Sequence, residues 1–163
     1  MTERELRIYP DPVLRKPTRP IENFDDEFRI FVKELETLMF RYDGVGLAAP
    51  QVGESLDVAV VFYGDTLYVL SNPLIIKSEG EQRGQEGCLS FPDIFEDITR
   101  PERVTVESQN ENGEMRQIEA EGFLARAFCH EIDHLRGKLM IDHLSSIKRE
   151  QIKKKLLKRK KRA

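Results

Sequence analysis

The sequence has few cysteines and no long apolar run, and both absences narrow its class. Of its 163 residues only two are cysteines, Cys88 and Cys129, so a disulfide framework is excluded and a reducing compartment is indicated. No apolar run approaches the roughly 18 residues of a membrane span. The charged N-terminus, Met1–Glu5, lacks the apolar core of a secretory signal. We therefore expect a cytoplasmic protein with no membrane span.

The sequence also lacks internal repeats, low-complexity linkers and the G-x-x-x-x-G-K-[ST] loop that cradles phosphates. A chain of this length suits one domain that can bury a real core.

Charge is distributed unevenly along the chain. From Ser145 to Ala163 there are ten Lys or Arg and one acid, Glu150, so this segment carries +9. The whole chain is −3, which leaves −12 for residues 1–144. A basic helix on an acidic body predicts binding to a polyanion, either RNA or an anionic membrane surface. The alternative is a solvated helix whose charges only keep it soluble.

Hydrophobic spacing predicts both helices and strands. Some segments have helical spacing, and others are rich in Val, Ile, Leu and Tyr, which is typical of strands. The predicted strands are grouped together and set apart from the helices, which indicates an α+β fold. The predicted helices are Asp25–Tyr42, Glu121–Arg136 and a third capped by Ser145. The predicted strands are Leu56–Tyr63, Leu67–Asn72, Leu74–Ser78, Arg103–Gln109 and Glu114–Ala120, the last two forming a hairpin around Asn110–Gly113.

The ends of these helices carry sequence signals. Asn23 or Asp25 can cap the first helix, Asp43-Gly44 ends it, and Gly137 ends the second. The apolar members of the third helix are Ile147, Ile152, Leu156 and Leu157.

The second predicted helix contains His130-Glu131-Ile132-Asp133-His134, an H-E-x-x-H pentad. Residues four apart lie on one helix face, so His130 and His134 can bind one metal ion from consecutive turns. Glu131 then lies at the edge of that ion, where it can move a proton to or from a metal-bound water. The alternative is a surface helix that carries this short motif by chance.

A catalytic zinc- or iron-type site needs a third protein ligand and an open position for water. The candidates are His143, one of many carboxylates and a cysteine. Cys88 is the strongest, because its Gly- and Pro-bounded segment predicts a strand or loop that could approach the helix from the side. The residues alone leave this reading even with that of a buried cysteine that only packs.

Three segments together resemble the bacterial peptide deformylase family. They are Gly44–Gly53 (GVGLAAPQVG), Glu86–Ser90 (EGCLS) and His130–Leu135 (HEIDHL), in the order and at the spacing of that family. Asp11–Arg15 and Arg100–Val104 extend the likeness, which covers roughly residues 5–145. The tail after Leu144 is similar only in kind.

This resemblance implies antiparallel β-sheets wrapped around a central metal-binding helix, with an N-terminal helix and a basic C-terminal helix. It implies a catalytic domain over residues 1–144 and a basic helical tail, 145–163, of the same domain. It also implies one divalent metal ion per chain, held by Cys88, His130 and His134. That ion is expected to be Fe²⁺, with Zn²⁺, Ni²⁺ or Co²⁺ in some preparations.

The implied reaction removes the N-formyl group from the formyl-methionine end of nascent polypeptides and releases formate. A metal-bound water attacks the formyl carbon, with Glu131 as general acid and base. The side-chain amide of Gln51 and the backbone N–H of Leu89 match the oxyanion donors of the family. The ribosome and its RNA are then the expected polyanion for the basic tail.

The methionine side chain of such a substrate needs an apolar slot. Val45, Phe123 and Ala127 could line it, since Phe123 and Ala127 are four apart and project on one helix face. Ordinary core packing is the alternative for these residues. Gly44 and Gly46 let the backbone approach an extended substrate, and they also fit a helix C-cap and turn.

Two positions depart from the family pattern. Cys129 stands where many members have Gln, and we predict a buried cysteine that is not a ligand. Asp93 stands where Gly is frequent and is expected to alter the loop beside the substrate cleft. His143, nine residues past His134, is predicted not to be a ligand.

Two other functions share features of this sequence. A zincin-type protease shares H-E-x-x-H but takes its third ligand from downstream of the pentad, whereas Cys88 lies upstream. A non-enzymatic RNA-binding module built around the tail would leave the intact catalytic positions unexplained.

Overall fold

The computed structural model describes residues 4–162, with side chains up to residue 159. This part of the chain forms three α-helices, seven strands and three short 3-10 helices. The α-helices are α1 (Asp26–Arg41), α2 (Gly122–Leu135) and α3 (Ser146–Arg162). The strands are β1 (Gly46–Ala48), β2 (Val58–Tyr63), β3 (Thr66–Glu79), β4 (Gln82–Cys88), β5 (Phe91–Arg100), β6 (Arg103–Gln109) and β7 (Met115–Glu121). The 3-10 helices are Pro12–Arg15, Ala49–Val52 and Met140–His143.

The strands form two antiparallel sheets around α2. Five strands pair in the order β1-β2-β3-β6-β7, and β4 and β5 form a separate two-stranded sheet. Helix α2 contacts β1, β2, β6 and β7 of the larger sheet and β5 of the smaller one. The predicted α+β class, with antiparallel sheets around a central helix, is confirmed.

Helix α2 is buried on nearly every side, whereas α1 buries a single stripe. Ten of the fourteen residues of α2 are buried, and they include His130, Glu131, His134 and Arg126. A helix enclosed in this way cannot solvate its polar side chains with bulk water, so these groups need partners inside the protein.

The predicted helix starts agree with the structure. Asp25 caps α1 by accepting a hydrogen bond of 2.9 Å from the Phe28 N–H, so Asp25 is the cap and Asn23 is not. Ser145 accepts a hydrogen bond of 3.2 Å from the Lys148 N–H at the start of α3. Each side chain satisfies one of the N–H groups that a helix leaves free at its first turn.

Helix α1 ends at the predicted place, but with Asp43 in the left-handed conformation. Asp43 has φ 56°, and the Gly44 N–H donates to the Met39 carbonyl at 2.9 Å. This is the backbone pattern of a Schellman cap, in which glycine usually holds the position taken here by Asp43. Gly44 is therefore not required by the cap itself.

Only two of the four apolar residues predicted for α3 face the core. Ile152 and Leu156, four residues apart, are buried beside Phe91 of β5. Ile147 and Leu157 are 71% and 55% exposed. Helix α3 thus docks on the body through one narrow face, and the rest of its surface is left to its basic side chains.

Two strand predictions needed correction. The two strands predicted on either side of Pro73 are one strand, β3, because the chain continues through an irregularity at Asn72, which has φ 50°. At this irregularity, side-chain hydrogen bonds take the place of backbone bonds between strands. The Asn72 Oδ1 accepts from the Ile21 N–H at 2.8 Å, and the Asn72 Nδ2 donates to the Ile21 carbonyl at 3.0 Å. Strands β1, β4 and β5 were not among the predicted strands, although the segment around Cys88 was expected to be a strand or loop. Acidic residues interrupt the apolar alternation of β5, while the hairpin of β6 and β7 is confirmed.

Two glycines with positive φ allow a test of close packing. Gly137 has φ 75°, and a Cβ there would lie 2.7 Å from the Arg15 carbonyl oxygen. Gly64 has φ 58° and open space around it. We expect Gly64→Ala to lower the free energy of unfolding by about 1 kcal/mol, from backbone conformation alone. Gly137→Ala should lower it by roughly 2–4 kcal/mol, because a backbone clash is added. Urea denaturation of both variants measures this, and equal losses would contradict the packing argument.

Candidate metal centre

Three side chains with metal-binding atoms meet between β4 and α2. Cys88, His130 and His134 each offer one ligand atom, and these atoms all lie within 4.8 Å of one another. The Cys88 Sγ lies 3.3 Å from the His134 Nε2. A tetrahedral ion with ordinary Zn–N and Zn–S bonds separates its ligand atoms by roughly 3.3–3.6 Å. The arrangement therefore fits a single metal ion with little movement of the side chains.

Two different local structures bring these ligands together. The histidines occupy consecutive turns of α2, and their rings are 5.0 Å apart. Cys88 ends β4, where the pairing with β5 shifts register between Gly87 and Cys88. Such a bulge re-aims the side chain at the end of a strand, here towards the helix. The expected approach of Cys88 from the side of the helix agrees with this geometry.

His130 is oriented by Glu86, a residue that the sequence reasoning did not single out. The His130 Nδ1 and the Glu86 Oε1 are 2.6 Å apart inside the protein. A carboxylate at this position accepts the Nδ1–H and leaves Nε2 free to face a metal ion. The sequence contained a signal for this role, because Glu86 lies only two residues before Cys88 in the same extended segment.

Two arginines hold the Glu86 carboxylate in place. The Arg100 Nη2 donates to Oε1 at 2.6 Å, and the Arg126 Nη1 donates to Oε2 at 2.7 Å. Although burial opposes it, hydrogen bonds from His130 and Arg100 keep the pKa of Glu86 far below its usual range. Arg100 also donates to Asp133 at 2.7 Å. The buried group therefore contains two carboxylates and two guanidinium groups, whose charges cancel.

The remaining ionisable groups of the site are Cys88, Glu131 and the two histidines of α2. When Cys88 is a thiolate and Glu131 a carboxylate, the site carries two negative charges that no neighbouring cation balances within the cluster just described. Against the effect of burial, the charge of Cys88 raises the pKa of His130 well above its ordinary value, so the site favours a positive charge. Burial lowers the pKa of His134, which keeps that imidazole in the neutral form that binds metals. A divalent cation matches this charge and this donor set.

Glu131 is enclosed next to the ligands. Its side chain is 5% exposed, and its Oε1 has no hydrogen-bond partner among the described residues. Burial raises the pKa of the Glu131 carboxyl to about 7, a shift that a bound cation would oppose. A Cβ on Gly46 would lie 2.6 Å from the Glu131 Oε2. The bare backbone of β1 therefore forms one wall of the space that Glu131 occupies.

The Gln51 amide is fixed beside Cys88. Its Oε1 accepts from the Ala48 N–H at 3.0 Å, which determines the orientation of the amide. Its Nε2 consequently points at the Cys88 Sγ, 3.6 Å away, and at the Ser90 Oγ, 3.1 Å away. Leu89 lies between Cys88 and Ser90 in the chain, and its side chain packs against a core cluster that includes Leu35 and Leu47. The structure thus places the Gln51 amide next to Cys88, and Leu89 is the residue that follows Cys88 in the chain.

The residues predicted for the substrate slot differ in their exposure. Val45 and Phe123 are 40% and 48% exposed, and Ala127 is buried. The Val45 carbonyl accepts from the Phe62 N–H at 2.8 Å, and the next residue, Tyr63, packs edge-on against Phe123 at 5.4 Å. Strand β1 lies at an edge of its sheet, so an extended chain could run along it.

Cys129, His143 and Asp93 all lie outside the group of three residues that could bind a metal. Cys129 is buried, with its pKa raised to about 11 by burial, and it is not one of the three ligands. His143 contacts Asp133 at 2.8 Å and lies outside the group formed by Cys88, His130 and His134. Asp93 has φ 64° and pairs with Arg159. A positive φ is a conformation that glycine adopts readily, and Asp tolerates it better than most other residues.

Comparison with known proteins gives a consistent result. Residues 3–150 match the family model described as polypeptide deformylase. Peptide deformylase 2 of Clostridium acetobutylicum is 47% identical over 143 residues, which are 87% of this chain and 95% of that protein. A peptide deformylase structure from Legionella pneumophila has a TM-score of 0.93 at 39% identity and covers 98% of this chain and 96% of its own. The structure from Thermotoga maritima has a TM-score of 0.86 at 42% identity, over 89% and 99% of the two chains.

The Glu86 contacts predict an effect on metal affinity. Glu86→Gln removes the carboxylate that orients His130 and leaves Arg100 and Arg126 without their shared anion. We expect metal affinity to fall roughly 10- to 100-fold, the usual effect of losing such a supporting partner. Glu96→Gln on β5 is the matched control, since Glu96 makes only a surface pair with Lys148 at 3.2 Å. Competition with a chelator measures both affinities, and equal values would argue against the orienting role of Glu86.

Proposed function

This chain belongs to the polypeptide deformylase family, and from that premise we propose how its residues carry out the reaction. It is a hydrolase that removes the N-formyl group from the formyl-methionine of nascent polypeptides and releases formate. One observation supports the proposal most: a thiol and two imidazoles converge beside a buried carboxyl. That combination provides both a metal site and a group that can move protons.

We propose that Cys88, His130 and His134 hold one divalent metal ion per chain. When bound, this ion lowers the pKa of a water molecule and so supplies hydroxide near neutral pH. The proposed native ion is Fe²⁺. A Cys-His-His donor set also accepts Zn²⁺, Ni²⁺ or Co²⁺, so preparations can contain these ions instead.

Glu131 is the proposed general acid and base. Its carboxyl lies one residue from His130, is enclosed by Gly46, and has an oxygen free of partners in the described part of the chain. Such a group can take a proton from water and return it to the departing amine. The enclosed position also limits its contact with bulk water, which strengthens its interaction with charge that develops at the reacting carbon.

Gln51 and Leu89 are the proposed donors to the oxyanion of the tetrahedral intermediate. The Gln51 amide is already fixed by Ala48, so little reorganisation is needed when negative charge develops. The Leu89 backbone N–H belongs to the residue that follows Cys88 and would point at the same small space. Removal of such a donor typically costs about 3–4 kcal/mol of transition-state stabilisation.

The substrate is proposed to run along the edge of β1. Gly44, Val45 and Gly46 would contact its backbone, where the absence of side chains on the two glycines allows a close approach. Val45, Phe123 and Ala127 would line the slot for the methionine side chain. The exposed position of Val45 and Phe123 supports this, since residues that only pack in a core are buried.

The basic C-terminal segment is proposed to bind the ribosome through its RNA, and the protein is proposed to act in the cytoplasm, where nascent chains emerge. The described lysines of α3 at positions 153, 154, 155 and 158 are exposed, so their charges are available to a polyanion. No helix in the described residues is long and apolar enough to cross a membrane. Residues 145–163 nevertheless belong to the same domain as 1–144 in this proposal, because Ile152 and Leu156 pack into the core.

The proposed function is tested by release of formate from a formyl-methionyl peptide. The protein is purified without oxygen, its bound metal is counted, and the deformylated product is identified. Rapid release with about one iron per chain supports the proposal. Cleavage of ordinary peptide bonds without formate release would support a zincin-type protease instead, and neither activity with a full metal site would refute both.

A prediction follows for the proposed role of Glu131. Glu131→Gln keeps the size of the side chain but removes its ability to accept a proton. We expect metal content to stay near that of the unmodified protein, while kcat falls roughly 10²- to 10⁴-fold. Gly46→Ala should lower kcat in the same direction, because the new Cβ would displace the carboxylate. Near-normal turnover of Glu131→Gln would remove this residue from the mechanism.

A second prediction concerns the basic segment. Substitution of Gln for Lys153, Lys154, Lys155 and Lys158 removes four charges without disturbing the buried face of α3, which a truncation would remove. We expect ribosome binding in a sedimentation assay to weaken and to lose much of its salt dependence, while peptide turnover is unchanged. The control replaces four exposed lysines elsewhere, Lys16, Lys33, Lys77 and Lys138. Equal weakening by both variants would indicate an effect of net charge and not of α3.

A further inference from the structure

Arg126 has a buried donor that the contacts described so far do not use. Its side chain is only 5% exposed, and the Nη1 donates to Glu86 at 2.7 Å. The Nη2 is also buried, yet it has no hydrogen-bond partner among the described residues. Buried N–H groups are nearly always paired, and an unpaired one on a charged group is especially unfavourable. This donor therefore needs an acceptor that the described side chains and backbone do not provide.

Helix geometry places Arg126 on the face that carries the substrate slot and the metal ligands. At about 100° per residue, Phe123, Arg126, Ala127, His130 and His134 fall within an arc of roughly 100°. Arg126 and Ala127 lie on opposite sides of the line from Phe123 to His130. An apolar slot between Phe123 and Ala127 would thus have the guanidinium of Arg126 at its side.

Gly84 lies next to this guanidinium and has no side chain that could pair with it. It lies on β4, two residues before Glu86, and a Cβ there would be 3.4 Å from the Arg126 Nη2. A Cβ at this distance would only make van der Waals contact, whereas a hydroxyl on it could accept a hydrogen bond from the Nη2. An acceptor for this donor must therefore come from outside the described residues.

We propose that the Arg126 Nη2 donates a hydrogen bond to the end of the first side chain of the formylated substrate. The enzyme then favours a side chain that ends in an acceptor over one of the same shape without an acceptor. The methionine thioether is a weak acceptor, whereas the oxygen of methionine sulfoxide is a strong one. This inference rests on the proposed substrate slot, and it extends the substrate class to polypeptides that begin with an oxidised formyl-methionine.

A different role for Arg126 makes a different prediction. If Arg126 only holds Glu86, and through it His130, then its loss weakens the metal site for every substrate alike. A donor that contacts the side chain instead changes the ratio between substrates. The ratio of kcat/KM values therefore separates a contact with substrate from a purely structural role.

The experiment compares three formyl peptides that differ only in the first side chain: methionine, methionine sulfoxide and norleucine, in which a methylene replaces the sulfur. Arg126→Met removes the donors and keeps much of the volume. We expect the ratio of kcat/KM for the sulfoxide to that for norleucine to fall roughly tenfold or more relative to the unmodified enzyme. Arg100→Lys, on the other side of Glu86, is the matched control and should lower all three values by a common factor. A common factor for Arg126→Met as well would overturn the proposal.

A second pair of variants tests the donor without altering Arg126. Gly84→Ser places a hydroxyl beside the Nη2, and Gly84→Ala adds the same Cβ without an acceptor. We expect Gly84→Ser to lower the sulfoxide-to-norleucine ratio, because its hydroxyl competes for the donor, and Gly84→Ala to preserve that ratio. Equal ratios in the two variants would count against the proposal even if Arg126→Met does not fold. Formate release from the plain formyl-methionyl peptide by the unmodified enzyme tests the proposed function separately.

Discussion

The Glu86 carboxylate is the group on which the rest of the site depends. It lies in the interior, and a buried carboxylate is tolerated only when charged or hydrogen-bonding groups surround it. Its partners come from two places: Arg100 from β5, and Arg126 and His130 from α2. Because these bonds cross from the small sheet to the central helix, they fix the hairpin of β4 and β5 against α2. Cys88 lies at the turn of that hairpin, so the same bonds that hold Glu86 also help to set the distance between the cysteine and the histidines.

Burial of α2 between two sheets changes the pKa values of side chains in its short H-E-x-x-H motif. On a surface helix, the pentad would expose both imidazoles and the carboxylate to water, and their pKa values would stay near the ordinary ones. Inside two sheets, burial raises the pKa of Glu131 and lowers that of His134. The neutral group of carboxylates and guanidiniums removes charge that would otherwise oppose burial. What remains is a small space that contains a thiol, two imidazoles and a carboxyl, a donor set suited to a divalent cation.

Much of the site was predictable from sequence because its main residues sit in segments with strong local signals. The helical period placed His130, Glu131 and His134 on one helix with its ends nearly correct, and the glycine and proline around Cys88 indicated an extended segment. The supporting residues were harder to predict. Arg100 and Arg126 resemble ordinary surface charges in the sequence, and only the three-dimensional structure shows that both meet Glu86. Strand β5 was not predicted because acidic residues interrupt its apolar pattern in the sequence. The structure shows that Phe91, Ile94 and Ile98 of this strand are nevertheless buried.

The three segments that carry the family resemblance depend on one another through specific contacts. The first and second meet where the Gln51 amide faces Cys88, and the second and third meet where Glu86 accepts from His130. The first and third meet where the bare Cα of Gly46 makes room for Glu131. A change in one segment therefore disturbs a residue of another that does chemistry. This coupling gives a physical reason for finding all three segments together in one chain, with Cys88 upstream of the pentad and close to both of its histidines.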